Sequence, residues 1–390
     1  MNYNFDSLMS RKHTDCIKWD GHMDFGMPED TLPMWVADMD FELPSPIAKA
    51  IATRASHPIF GYTLLTPKYK DAICHWMSTR HNWEIASDWL VVVPNVVGAI
   101  NIAIKAFTSP GEKVLIQEPV YNPFSRSILT NERQVAVNEL VCIEDRFEID
   151  FEDFEAKVSD PAVKLFILCN PHNPVGRVWT PLELQKMGEL CLAHDVVILS
   201  DEIHQDIVFK AYKHTPIGTL STAIADNLIT CTSTGKTFNS ASISLGNIII
   251  PNEKLREQFV RAFSQIGIDT MSPFAQQVVE VGYTECEDWV DALVEYIEGN
   301  KCYVEEFVSE HLPMIRVTKS EATYLLWIDM RGLGLTPEAL LEFMTHEAKI
   351  WINPGTLFGK CGEGYVRMNI ATCRENVVRA MKNLRMAVSK

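Results

Sequence analysis

Short, nearly continuous apolar runs recur through the middle of this chain. They are Trp89–Val93, Lys113–Gln117, Gln134–Leu140, Lys164–Leu168, Val196–Leu199, Leu228–Thr232 and Asn247–Ile250. Each is rich in β-branched residues and lacks the strict alternation of a half-exposed strand. Such runs read as strands covered on both faces. Between them the apolar spacing lengthens to that of a helix. From Trp179 to Asp195, the positions Leu182, Leu184, Met187, Leu190 and Leu192 predict an amphipathic helix started by Thr180 or Pro181. Strands alternating with helices predict an α/β protein built on a mostly parallel, helix-covered seven-stranded sheet.

The pattern changes after about residue 250. Helical stretches are expected around Pro251–Gly267 and Pro273–Ser309, then a small α+β segment from about Ile315 to Lys390 with strands Tyr324–Ile328 and Tyr365–Ile370. The expected organisation is an N-terminal arm over 1–45, a large domain over 46–285 and a smaller α+β domain over 286–390, with the arm packing on the smaller domain.

Composition narrows the function classes. At 390 residues the chain has ample length for a large core, and 47% apolar with 22% charged residues is ordinary for a soluble globular protein. A formal charge of −16 argues against nonspecific nucleic-acid binding, which needs a basic surface. No apolar stretch reaches membrane-spanning length, and Met1 to Lys18 is polar with mixed charge, unlike a signal peptide. Ten cysteines occur without a Cys-x-x-Cys pair, which suits neither a zinc site nor a compact disulfide framework. Reduced thiols in a cytoplasmic protein, with Cys169 and Cys231 as core residues, are the expectation.

Three residues stand at the exits of predicted strands. Asn173 lies in the stiff turn Asn170-Pro171-His172-Asn173-Pro174-Val175-Gly176. Asp201 ends an apolar run, and Lys236 sits in Ser233-Thr234-Gly235-Lys236-Thr237-Phe238-Asn239. In open α/β sheets this edge is where ligands bind. An amine, a carboxylate and an amide in this order are what a pyridoxal 5'-phosphate (PLP) site needs: a lysine to carry the cofactor, an acid for the pyridinium nitrogen and a polar group for the ring hydroxyl. Each has a plainer alternative: a solvated lysine, a helix cap at Asp201, an amide that stabilises its own turn.

Other candidates are weaker. The turn Pro94-Asn95-Val96-Val97-Gly98 follows a strand and opens a helix, so it is either a phosphate site or an ordinary connection. Ser233 offers a hydroxyl to the same phosphate. Tyr121 is a ring-stacking partner or a core aromatic. Arg367 forks a substrate carboxylate or forms a surface ion pair. His172 and His204 are ligands or acids, or satisfied loop histidines.

These residues bring the chain into resemblance with fold-type I PLP enzymes of the class I/II aminotransferase superfamily, and more closely with MalY/PatB-type cystathionine β-lyases. The closer likeness rests on Leu32-Pro33-Met34-Trp35-Val36-Ala37-Asp38-Met39-Asp40-Phe41, on Phe60-Gly61-Tyr62-Thr63, on Pro171-His172-Asn173-Pro174-Val175-Gly176-Arg177 and on Ser200-Asp201-Glu202-Ile203-His204. The resemblance implies that Lys236 carries the cofactor, Asp201 pairs with its ring nitrogen, Asn173 and His204 bind the ring, and Tyr121 stacks on it. It implies that Val96, Val97 and Ser233 hold the phosphate. Arg367, with Asn173, Val36 and Ala37, would bind the substrate, and Tyr62 would reach in from the neighbouring subunit of a homodimer with shared sites. Two positions depart from the pattern. Asn95 stands where glycine is common, and Ser244 stands where many aminotransferases have an arginine eight residues after the lysine.

The implied activity is β-elimination from a sulfur amino acid, cystathionine or a related cysteine S-conjugate, giving pyruvate, ammonia and a thiol. An aminotransferase is the alternative, since no residue excludes it. A third reading, a PLP-fold protein acting mainly as a regulatory partner, is disfavoured by the complete set of catalytic side chains. A nicotinamide-binding enzyme is disfavoured because no Gly-x-Gly-x-x-Gly follows a strand.

Overall fold

The computed structural model describes residues 3–7, 9–268 and 271–390. Within them the centre is one seven-stranded sheet of β1 (Leu90–Val93), β2 (Lys113–Glu118), β3 (Gln134–Glu139), β4 (Val163–Cys169), β5 (Val197–Asp201), β6 (Leu228–Thr232) and β7 (Gly246–Ile249). The strand order is β1-β7-β6-β5-β4-β2-β3. Strands β6, β5, β4, β2 and β3 are mutually parallel, and β7 runs antiparallel to both β1 and β6.

The continuous apolar runs are explained by two-sided burial. Along β4, Leu165, Ile167 and Cys169 enter one core with Ile100, Ile104 and Phe259. Phe166 and Leu168 enter a second core with Leu184 and Met187. Each such side chain contributes about 1.5–3 kcal/mol on burial. The covering helices include α1 (Pro67–His81), α2 (Val96–Phe107), α3 (Pro181–Ala193), the single turn α4 (Thr234–Thr237), α5 (Glu253–Ser264), α6 (Pro273–Glu285), α7 (Glu287–His311) and α8 (Arg374–Val388).

Helix α3 starts as expected. Thr180 and Glu183 form a reciprocal capping box, with Pro181 at the first helical position. Leu182 departs from the expected stripe: it is 79% exposed, and the buried face is Leu184, Met187, Gly188 and Cys191. The helical stretch expected around Pro273–Ser309 consists of two helices. Cys286 leaves helical geometry at φ −124°, ψ 22°, and Glu287 and Asp288 begin a new first turn. No proline marks that break.

A second sheet follows, of β8 (Arg316–Val317), β9 (Leu325–Asp329), β10 (Asn353–Pro354) and β11 (Tyr365–Asn369). It is antiparallel, in the order β8-β9-β11-β10. In the arm, whose residues 1, 2 and 8 lie outside the described residues, Leu32–Pro33 pairs in parallel with Ile350–Trp351. Trp35 stacks on Trp351 at 4.3 Å between ring centroids.

The loop after β4 is bolted to the segment before β9. The Gly176 carbonyl accepts from the amides of Glu321 (2.8 Å) and Ala322 (3.0 Å). The fully buried Arg177 pairs with Glu148, Glu183 and Glu321. Gly176 has φ +72°, and a Cβ there would run into the Ser320 hydroxyl and lie 3.1 Å from Ser320 Cβ. Gly176→Ala is therefore expected to lower stability by about 2–4 kcal/mol, from the left-handed backbone and the collision together. Denaturant unfolding checks this: a lower midpoint at unchanged slope is the expected result.

Candidate active site

The carboxyl ends of β2, β4, β5 and β6 face the second sheet and the arm across a cavity of about 890 Å³. Tyr121, Asn173, Asp201 and Lys236 line it from the first side, Arg367 and Asn353 from the second, and Trp35 to Glu42 with Met9 to Arg11 and Thr14 to Ile17 from the arm. His204, Val36 and Ala37 also lie on its wall.

Lys236 projects from α4. This helix is a single turn whose Ser233 caps the Gly235 amide at 3.2 Å. The Lys236 amine donates to Ala37 O at 2.5 Å. Burial, and next the Arg367 charge, bring its pKa down from 10.5 to about 8. Asp201 is the last residue of β5 and is 3% exposed. Its carboxylate accepts from the Ile203 amide at 3.2 Å, and among the described residues it has no ion pair. Burial pushes its pKa up to about 7.

Arg367 sits in the middle of β11 and is buried rather than forming a surface ion pair. It donates to Asn173 Oδ1 (3.1 Å), Trp35 O (3.0 Å) and Asn353 Oδ1 (2.7 Å), and lies 4.8 Å above the Phe358 ring. No carboxylate pairs with it among the described residues, its Nε has no partner, and burial lowers its pKa to about 10. Because Asn173 Oδ1 serves Arg367, the Asn173 amino group remains available to a ligand.

Tyr121 lies on the cavity wall, edge-on to Phe124 at 5.7 Å, and its amide donates to Asn173 O. Its half-buried ring packs against the edge of the core that holds Ile100 and Phe259 and also faces the cavity. The two histidines differ. His172 contacts Pro119 O through Nε2 at 2.9 Å and does not line the cavity. His204 is not a satisfied loop histidine: it is 2% exposed, faces the cavity, and neither ring nitrogen has a partner. Burial holds it neutral, with its pKa well below the ordinary value.

Val96, Val97 and Ser233 stand outside the cavity wall, at the starts of α2 and α4. Gly246 at the start of β7 lies between these two starts, paired with Val93 on one side and followed by Asn247 paired with Thr232 on the other. A Cβ at Gly246 would come within 2.9 Å of Val93 and 3.1 Å of Asn95, so the close approach requires glycine. Both departures from the family pattern build local structure. Asn95 caps α2 by accepting from the Gly98 amide at 2.7 Å, and Ser244 bonds to the Ser240 hydroxyl at 2.7 Å. Tyr62 is 95% exposed and lies outside this chain's cavity.

The sequence reading overlooked how the arm is held. The carbonyls of Trp35, Val36 and Ala37 accept from Arg367, Asn369 and Lys236, and Tyr324 OH also donates to Ala37 O. Asn239, three residues after Lys236, makes three bonds of 2.9 Å to the backbone of Met39 and Phe41. Its place in the lysine loop was the one available signal. The cavity thus offers a depressed amine, an uncompensated carboxylate and an uncompensated guanidinium. It suits a ligand with a cationic ring and a substrate with a carboxylate.

The family model for aminotransferase class I and II matches residues 30–384. The chain belongs to this family. Within it, the chain is 41% identical to cystathionine beta-lyase PatB of Bacillus subtilis over 386 residues, covering 99% of this chain and all of that one. It is 31% identical to protein MalY of Escherichia coli, covering 99% of each. The crystal structure of cystalysin from Treponema denticola, which contains a pyridoxal 5'-phosphate cofactor, superposes with a TM-score of 0.97 at 35% identity. It covers 100% of this chain and 99% of that one. As in other open α/β sheets, this family member places its cavity at the strand ends. No helix among its described residues is long and apolar enough to cross a membrane.

Proposed function

We propose that this chain is a PLP-dependent carbon–sulfur β-lyase. It cleaves cystathionine or a related cysteine S-conjugate to pyruvate, ammonia and a thiol. The observation that carries the reading is the meeting of Lys236, Asp201, Asn173 and Arg367 around one cavity, in a chain whose likeness to a cystathionine beta-lyase and to a C–S lyase is end to end.

The residues present fit PLP. Asp201 is a buried carboxylate without a cation, and a protonated pyridine nitrogen supplies one. The unpartnered His204 nitrogens and the free amino group of Asn173 suit the ring hydroxyl side. Tyr121 provides a face for the ring. The amides of Val96 and Val97, in the first turn of α2, have no intrahelical acceptors and with Ser233 suit the phosphate. When bound, PLP supplies an electron sink for the charge that develops at the substrate Cα.

The chain's own groups do the rest. Arg367 holds the substrate α-carboxylate as a bidentate fork, beside Asn173 and the Val36–Ala37 backbone. Lys236 Nζ, with a pKa near 8, is poised to accept the Cα proton at physiological pH. Asp201 keeps the ring nitrogen protonated.

Arg367→Lys keeps the charge but loses the planar fork. KM for the sulfur amino acid is expected to rise about 10- to 100-fold, with kcat falling less. Steady-state kinetics check this, and an unchanged KM removes Arg367 from the carboxylate role.

The functional unit is a homodimer in which Tyr62 reaches the partner's cavity. Its near-complete exposure beside Ile59, Phe60 and Leu64, also exposed, supports this. Mixing Tyr62→Ala with Lys236→Ala chains is expected to restore turnover at one site per mixed dimer. Inactive mixed dimers would contradict shared sites. Ten unpaired cysteines support a cytoplasmic setting, which cell fractionation tests.

The reading is tested with purified protein, PLP and cystathionine in the absence of any 2-oxo acid. Pyruvate and homocysteine in equal amounts are expected. Cofactor conversion to its amine form, with turnover only when a 2-oxo acid is added, would make the chain an aminotransferase instead.

A further inference from the structure

The loop from Asp201 to Asp206 sends side chains in opposite directions. Asp201 and His204 face the cavity. Asp206 faces away from it, into the packing behind α4, and is 4% exposed. Four donors converge on its two oxygens. Trp76 Nε1 at 3.0 Å, His81 Nε2 at 2.8 Å and Arg80 Nε at 3.5 Å reach Oδ1, and the Thr237 hydroxyl at 2.6 Å reaches Oδ2. Burial pushes this carboxyl up, but its bonds from His81 and Thr237 and the Arg80 charge outweigh that and hold it below the usual range. The carboxylate is therefore fixed and fully engaged.

Thr237 is the residue after Lys236 and the last of α4. One helical turn does not support its own geometry, because nucleation costs more than a single hydrogen bond returns. Its orientation has to come from outside. At its start, Ser233 and Thr234 are tied by the Gly235 amide and by Ser244. At its end, the side-chain tie is Thr237 to Asp206. The charges acting on Lys236 are those of Arg367, Asp38 and Asp201, all on the cavity side. What Asp206 gives Lys236 is a mechanical connection.

We propose that Asp206 and Thr237 are positioning residues: their bond sets the rotation of the α4 turn that aims Lys236 Nζ into the cavity. The same carboxylate fastens that turn to α1 through Trp76, Arg80 and His81. Helix α1 continues from the segment that carries Tyr62, so one buried junction braces both elements. This inference rests on the reading of Lys236 as the reacting amine.

Thr237→Val removes the hydroxyl and keeps the shape, whereas Thr237→Ser keeps the hydroxyl. In the PLP-loaded enzyme, Thr237→Val is expected to lower kcat for pyruvate release about 10- to 100-fold with KM within about threefold, as a misplacement near 1 Å does. Uptake of PLP onto Lys236 by cofactor-stripped protein, followed by the visible absorbance of the lysine-bound cofactor, is expected to slow about tenfold. Thr237→Ser is expected to recover most of both losses. If Thr237→Val does not fold, Thr237→Ala against Thr237→Ser gives the same comparison. A valine or alanine variant that melts earlier but keeps the wild-type kcat and uptake rate makes Asp206 a packing group and overturns the inference alone. A wild-type protein that takes no PLP onto Lys236 overturns the reading beneath it as well, so the two failures are told apart.

Discussion

Lys236→Ala lowers pyruvate release from an S-substituted cysteine by at least about 10³-fold, because two functions are lost at once. The amine that carries the cofactor is gone, and so is the base that takes the Cα proton. Burial and the neighbouring guanidinium depress Lys236 to about 8, so roughly a tenth of it is neutral near pH 7, where an ordinary lysine is almost wholly protonated. No other lysine lines the cavity to replace it. The variant is expected to fold, since alanine is well tolerated in a helical turn and the deleted side chain makes a single hydrogen bond, to Ala37 O. Circular dichroism establishes the fold and a coupled pyruvate assay reads the loss. Near-normal pyruvate release would remove Lys236 from the centre of the reaction.

Asp201→Asn separates catalysis from stability. The amide keeps the size of the side chain but cannot hold a ring nitrogen as a cation. Turnover is expected to fall about 10²- to 10³-fold while PLP remains bound through its other contacts. The cofactor-free protein moves the other way. Burial raises the Asp201 pKa from 3.8 to about 7, so the folded chain holds a proton that the unfolded chain has lost. The contribution of Asp201 to the stability of the cofactor-free wild type therefore falls as pH rises from about 4 to about 7 and is flat above that. Asp201→Asn removes the penalty, and at pH 8 it is expected to be more stable than wild type by on the order of 2–4 kcal/mol. Melting temperatures of the two stripped proteins at pH 5 and pH 8 show this as a gap that opens with pH. A gap that does not open, or an unchanged kcat, would contradict the account of this carboxylate.

The seven central strands were legible because two-sided burial leaves continuous β-branched runs, a local signal. The site followed from the strand exits. Lys236, Asp201, Asn173 and Tyr121 each sit just after or at the end of such a run, and topology alone brings them to one edge. Arg367 was legible as a residue type in a motif, but its burial and its lack of a carboxylate partner depend on β9 and β10 flanking it. For His204 the choice between a ligand and a satisfied loop histidine stays open in the sequence, which does not show which buried nitrogens lack partners. The bonds from Asn239 to the backbone of Met39 and Phe41 cross about 200 positions and leave no periodic trace. The break at Cys286 was hidden because the apolar spacing continues through it and no proline or glycine marks it. Asp206 lies two positions beyond the notable Ser200–His204 run. Only the packing of α1 shows that its charge is used.

The claim that joins these observations is that Lys236 is the one point where the cofactor attaches. Reducing the PLP-loaded protein with borohydride, digesting it and locating the pyridoxyl label by mass spectrometry tests this most directly. The account predicts a single modified residue, Lys236, with a stoichiometry of one per chain. Label on another lysine, or none above the level of nonspecific surface modification, would contradict it.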